Sequence, residues 1–182
     1  FCLKKLWKMP HRVTLEQIYL AARRLKGHVR MTPCQPSKRL NKLLNADIYM
    51  KMENMQHTGA YKERGALNKL CSLTNEEKEK GVYAASAGNH AQGLAFHAGR
   101  LGIKSTIFMP TRTPVIKVTR TKDYGATVRL IGDNYDDSYD ACIEEVEKVG
   151  GTLVHPFDDV TVIAGQGTIG LELMDQVPDI DV

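Results

Sequence analysis

With 182 residues, the chain is long enough to bury about 70% of its extended surface around one real core. Hydrophobic residues make up 42% and charged residues 25%, an ordinary globular balance, and no apolar run nears the about 20 residues that would span a bilayer. The net charge of +4 comes from 25 basic and 21 acidic residues scattered without a long basic run, so nothing calls for a nucleic-acid or membrane partner.

Phe1 to Met9 (FCLKKLWKM) lacks an initiator Met and carries Lys4, Lys5 and Lys8 among apolar residues. It is read as a fragment boundary or short surface extension, with the tail of an organelle-targeting segment as the alternative. The first helix follows Thr14, a fitting N-cap. Leu15, Ile18, Tyr19, Ala22 and Leu25 recur at helical spacing, and Gly27 is a fitting stop. A Pro-containing stretch (MTPCQPS, 31–37) comes next, then a short helix candidate and an apolar strand candidate over Asp47 to Met52.

From Gly81 onward strands and helices alternate. VYAAS (82–86), STIFM (105–109), TVRLI (127–131) and TLVHP (152–156) read as strands. Between them lie helices over His90 to Leu101, over Pro114 to Tyr124, and along a face of Tyr135, Tyr139, Cys142, Val146 and Val149. Such alternation with short connections predicts βαβ units: an α/β fold with a parallel sheet covered by helices. Thr161 to Gln176 reads as a helix despite Gly165, Gly167 and Gly170, each costing about 1 kcal/mol in a helix interior, so close backbone packing is expected there. After Pro178, DIDV (179–182) reads as the start of another strand, and the chain is expected to be incomplete.

The four cysteines, Cys2, Cys34, Cys71 and Cys142, stand far apart with no Cys-x-x-Cys pair. Neither a zinc site nor a redox dithiol is indicated, no metal is expected, and the thiols are read as reduced in a cytoplasmic setting.

Two segments carry chemistry. Ser86-Ala87-Gly88-Asn89-His90-Ala91-Gln92-Gly93 is a Gly-containing turn between a strand and a helix, where α/β proteins present outward amides and a helix dipole to an anion. Its spacing matches neither the phosphate loop nor the dinucleotide fingerprint. An ordinary polar helix start fits it equally well. Thr58-Gly59-Ala60-Tyr61-Lys62-Glu63-Arg64-Gly65-Ala66 places small residues and an aromatic before a lysine at a helix start, with the helix expected over Lys62 to Cys71. That position disfavours the ammonium and favours a nucleophilic amine able to condense with an aldehyde. Taken alone, any lysine is more often a solvated surface charge.

Together the segments are specific. Glu53 to Ala66 (ENMQHTGAYKERGA) resembles the lysine-attachment motif of the threonine/serine dehydratase family, and Ser86 to Gly93 (SAGNHAQG) resembles its substrate loop. The likeness runs on through TIFMP, HPFDD (155–159) and AGQGTIGLE (164–172), covering nearly everything after about Thr14.

The resemblance implies a fold-type-II pyridoxal-phosphate enzyme with the two-lobe architecture of the tryptophan synthase β chain. Residues 1–80 and 157–182 would belong to the large cofactor lobe, left incomplete, and 81–156 would form the small βαβ lobe. It further implies pyridoxal 5'-phosphate held by Lys62, flanked by Tyr61 and hydrogen-bonded by Asn89. Ser86, Ala87, Gly88, Asn89 and His90 would bind the carboxylate of a small amino-acid substrate. The implied reaction is dehydration and deamination of L-threonine or L-serine to a 2-oxo acid and ammonia, with a homo-oligomer as the full-length form. Arg64 is read as supporting or structural. Ala60 stands where many relatives carry Ser, and His90 where sulfhydrylase relatives carry Thr. Ala87 stands where racemase relatives carry a serine acid. The phosphate-cradling loop, the group facing the pyridine nitrogen and a cation site are expected beyond Val182. Serine racemase, another fold-type-II enzyme, and a non-catalytic interaction partner are the alternatives.

Overall fold

Thr14 caps the first helix, α1 (Leu15–Leu25), through a reciprocal pair: its hydroxyl accepts from the Gln17 amide while the Gln17 side chain accepts from the Thr14 amide. Two donors left open at the helix start are thereby satisfied. The computed structural model describes residues 13–181. Cys2, the segment 1–9 and Val182 lie outside the described residues. The apolar face of α1 is rotated from the expected one, with Leu15 and Tyr19 exposed and Ala21 and Leu25 buried. The reason is its partner: Ile18 lies over Gly167 of a later helix, so the side carrying Ile18, Ala21 and Leu25 turns inward.

β1 (Cys34–Pro36) pairs antiparallel with β2 (Tyr49–Lys51), Cys34 opposite Lys51, and α2 (Lys38–Leu44) lies between them in sequence. Next come α3 (Lys62–Ser72) and α4 (Asn75–Lys80). No apolar period announces α4, which is wholly polar; Thr74 and Glu77 define it with a second reciprocal cap.

The expected parallel sheet is formed by β3 (Val82–Ala85), β4 (Ser105–Met109), β5 (Thr127–Leu130) and β6 (Thr152–Leu153), in the order β5-β4-β3-β6. Alternate strand residues face opposite sides. Val82, Ala84, Ile107 and Met109 pack with Ala91, Leu94 and Ala98 of α5 (Asn89–Arg100). Ala85 and Phe108 pack on the other side with Cys142 of α7 (Tyr135–Val149), while Tyr135 and Val149 at its ends stay exposed. The remaining sheet helix is α6 (Val115–Asp123).

α8 (Val160–Gln176) leaves the sheet and packs on α3 and α1. A Cβ added at Gly165 would stand 2.7 Å from the Arg64 carbonyl oxygen, and one at Gly65 2.7 Å from that of Val162. The two helices therefore touch backbone to backbone at Gly165, as expected, whereas Gly167 meets the Ile18 side chain and Gly170 meets nothing within 4 Å among the described residues. No strand forms over 179–181, where the Ile180 amide turns back to the Val177 carbonyl.

Candidate active site

Lys62 is the first residue of α3. Its Nζ donates to the Pro156 carbonyl at 2.8 Å and stands 5.4 Å from the centre of the Tyr61 ring. Among the described residues no carboxylate pairs with it. The Pro156 carbonyl is there because β6 runs beside β3, and the Val154 amide extends that pairing to the Tyr83 carbonyl at 2.8 Å. The lysine thus stands where β3 and β6 both end, the carboxyl edge at which parallel sheets bind ligands.

Across from it lies the turn Ser86–Gly88 and the head of α5. The Ser86 amide is spent on the Phe108 carbonyl (3.0 Å), and the Gly88 amide leans on the Ser86 hydroxyl (3.3 Å). The Asn89, His90 and Ala91 amides, in the first turn, have no intrahelical acceptor, and the Asn89 side chain has no hydrogen bond among the described residues. Among the described residues the open donors are thus the first-turn amides at 89–91 and, in the turn before them, the Ala87 amide. Gly93, one turn on, sets the separation. A Cβ there would stand 2.9 Å from both N and Cα of Glu63 and 3.2 Å from the Lys62 carbonyl carbon.

His90 differs from its neighbours because its side chain turns inward. It is 3% exposed, and its Nε2 bonds the Val154 carbonyl at 2.9 Å. A carbonyl accepts only, so Nε2 carries the proton and Nδ1 is left as a bare acceptor, buried and without a partner. Burial pushes its pKa down to about 4 against the Val154 bond, with the nearby Lys62 charge adding to the shift. The ring is neutral near pH 7 and holds the strand end that carries Pro156.

His155 stands out in the sequence only as part of HPFDD. Its Nδ1 accepts from the Asp158 amide (2.8 Å) and the Phe157 amide (3.3 Å), shaping the turn after β6. Burial lowers its pKa, Asp158 and Asp159 oppose, and Lys62 adds.

Behind Lys62 stand two buried charges. Glu63 is wholly buried, accepting from the Thr58 amide and hydroxyl (both 2.8 Å) and facing His57 Nδ1 at 3.0 Å and His97 Nε2 at 3.9 Å. Burial pushes its carboxyl up, but the histidines and Thr58 together win and hold it at about 2. Arg64 is also wholly buried, gripped by Glu53 (2.8 Å from both Nε and Nη2) and by Glu172 (2.6 and 2.8 Å). Burial works against its charge, yet the two carboxylates raise its pKa above the usual range. Lys51 extends the cluster to Glu172 (2.5 Å) and to the Thr32 carbonyl (2.6 Å). Arg64 thus ties the N-terminal segment to α3 and α8 and reaches no open surface.

A parallel sheet covered by helices is shared with solved enzymes, and the chain belongs to the family described as pyridoxal-phosphate dependent enzymes, whose profile matches residues 25–182. It is 50% identical over 170 residues to the L-threonine ammonia-lyase of Thermotoga maritima, covering 93% of this chain and 42% of that protein. Among solved structures, the serine racemase of Dictyostelium discoideum is 38% identical with a TM-score of 0.87, covering 93% of this chain and 55% of the other. The processed form of threonine deaminase isoform 2 from Solanum lycopersicum is 36% identical with a TM-score of 0.83, covering 94% and 49%. The fold is the fold-type-II one that the sequence resemblance implies. The chain spans about half the length of the relatives it matches.

The residues present fit the family's cofactor. An amine held, among the described residues, only by a carbonyl and unpaired amides at the head of α5 are open valences at one edge of the sheet. Among the described residues no helix is long and apolar enough to cross a membrane.

Proposed function

We propose that this chain supplies the cofactor lysine and the substrate loop of an enzyme that converts L-threonine, and L-serine, to a 2-oxo acid and ammonia. The observation that carries this reading is the Lys62 amine, free of any carboxylate among the described residues and held 2.8 Å from the Pro156 carbonyl beside the head of α5. The names of the relatives, L-threonine ammonia-lyase and threonine deaminase, support the substrate.

Lys62 would hold the cofactor through Nζ, with Tyr61 beside the ring and Asn89 hydrogen-bonded to it. When bound, pyridoxal phosphate supplies an electron sink for the pair left on the substrate Cα. The rest falls to the chain itself. The amides of Asn89 and His90, with Ser86, Ala87 and Gly88 shaping the approach, bind the substrate carboxylate at the positive end of α5. Lys62 takes the Cα proton at Nζ. The Pro156 carbonyl orients that amine, and neutral His90, bonded to the Val154 carbonyl two residues earlier, steadies that strand end without adding a competing charge.

The test is borohydride reduction of the cofactor-loaded protein at its natural length, followed by peptide mass mapping. The pyridoxyl group is expected on Lys62, and Lys62→Ala should remove 2-oxo acid release by orders of magnitude. An adduct on another lysine would overturn the assignment. Serine racemisation is the second reading, favoured by the likeness to the Dictyostelium enzyme; it needs an acid on the face opposite Lys62, where Ala87 offers none.

A further inference from the structure

Glu63 has no part in the chemistry above, yet it is the wholly buried neighbour of the lysine that does. Two elements besides its own helix converge on its carboxylate. One oxygen takes the Thr58 amide and hydroxyl, from the turn that leads into α3. The other faces His57 of that turn and His97 of α5. Outside this centre the His57 ring stacks on Phe96 of α5 at 5.2 Å, and Phe96 meets His97 edge-on at 4.9 Å. Gly93 of α5 presses on the backbone of Lys62 and Glu63 from the same side. The turn contains Gly59 at φ +76, a residue free to swing if nothing holds it.

We propose that Glu63 is a positioning residue for Lys62, its carboxylate joining the turn 57–59, the start of α3 and the body of α5 into one unit that fixes the amine relative to the head of α5. This rests on the assignment of Lys62 given above. The action is through hydrogen bonds rather than charge, since both oxygens are engaged on the side of Thr58 and the histidines while Lys62 Nζ bonds Pro156. A glutamine can reproduce it: its oxygen accepts from Thr58, and its amide donates to a neutral imidazole nitrogen of His57. An alanine leaves the two Thr58 donors and His57 Nδ1 without their acceptor and the turn unheld.

The experiment uses the protein at natural length, loaded with pyridoxal phosphate and reduced with borohydride. It reads the pyridoxyl label on Lys62 against that on surface lysines, together with the thermal midpoint. Glu63→Ala should lower Lys62 labelling at least about tenfold with surface labelling unchanged, because a displacement near 1 Å costs up to about a hundredfold in reactivity. Glu63→Gln should stay within about threefold of the parent. A merely structural role would lower the midpoint and leave the labelling ratio alone. A folded Glu63→Ala labelled like the parent overturns the proposal, and so does a Glu63→Gln as deficient as Glu63→Ala. If Glu63→Ala does not fold, Thr58→Val decides: about a threefold or larger drop in Lys62 labelling supports the proposal, and parental labelling overturns it. Label on a different lysine in the parent protein would instead remove Lys62 from its assigned role.

Discussion

Gly93→Ala isolates the contact between the two halves of the site. The new methyl would begin 2.9 Å from the Glu63 amide nitrogen and Cα, against the about 3.5–4.0 Å at which carbon atoms rest. Neither neighbour is a flexible side-chain tip, so α5 must retreat by roughly 1 Å from the start of α3. Overpacking of this kind costs about 1–3 kcal/mol, while replacing a mid-helix glycine by alanine returns about 1 kcal/mol. The net loss is thus about 0–2 kcal/mol, and the thermal midpoint of a domain this size should fall by no more than about 8 °C. The same retreat carries Asn89 and His90 away from Lys62, and a misplacement of about 1 Å costs about a hundredfold in rate. The expected signature is a nearly intact fold with turnover reduced about a hundredfold. Thermal unfolding and 2-oxo acid release from L-threonine, both on the natural-length protein, measure the two halves of that statement. Gly170→Ala is the control, since nothing lies within 4 Å of its would-be Cβ; it should gain up to about 1 kcal/mol with turnover unchanged. A Gly93→Ala protein that behaves like the control would refute the reasoning.

Other substitutions probe separate parts. Arg64→Lys keeps the charge but cannot fork to Glu53 and Glu172 at once, and losing half of a buried pair should cost about 3 kcal/mol in urea unfolding. Acid should weaken the fold in two steps. His90 titrates at about 4 when folded against its ordinary 6.5, and Glu63 at about 2 against its ordinary 4.5. In each window the unfolded chain binds the extra proton, so stability falls as pH drops, first from 6.5 to about 4 and then from 4.5 to about 2. His90→Gln should flatten only the upper step in urea midpoints measured across that range. Ala87→Ser should raise the D-serine recovered by chiral chromatography after partial turnover, because it supplies an exchangeable proton that alanine lacks; an unchanged fraction would mean that position 87 does not set the outcome.

The parallel sheet with its covering helices was legible because its signals are local. Strands of apolar residues, each followed by a patterned helix, define the parallel sheet with no knowledge of what packs where. Lys62 and Asn89 were singled out through paired motifs, and each begins a helix. The functions of His90 and Arg64 were not legible, since both depend on partners far along the chain: Val154 for the histidine, Glu172 for the arginine. β1 was hidden by the prolines at 33 and 36, which read as loop. It pairs only on one side, with β2, where proline is tolerated. Leu15 and Tyr19 misled for the opposite reason. Their spacing is helical, but which side of a helix is covered is decided by the tertiary partner, here Gly167 of α8.

The Arg64 network also sets an order of events during synthesis. Its partners Thr168 and Glu172 lie 104 and 108 residues downstream, whereas the sheet needs nothing beyond Val154 to close its last strand pair. At typical translation rates the segment from Val154 to Gln176 takes roughly 1–5 s to emerge. Through that interval the nascent chain can hold a folded sheet while the helix bearing Lys62 still lacks its backbone-to-backbone neighbour, its guanidinium waiting in water for the second carboxylate. Ribosome-bound chains halted with β6 but not α8 clear of the exit tunnel should therefore be cut by protease near α3 and protected across β3 to β6, and chains carrying α8 clear of the exit tunnel should be protected at both.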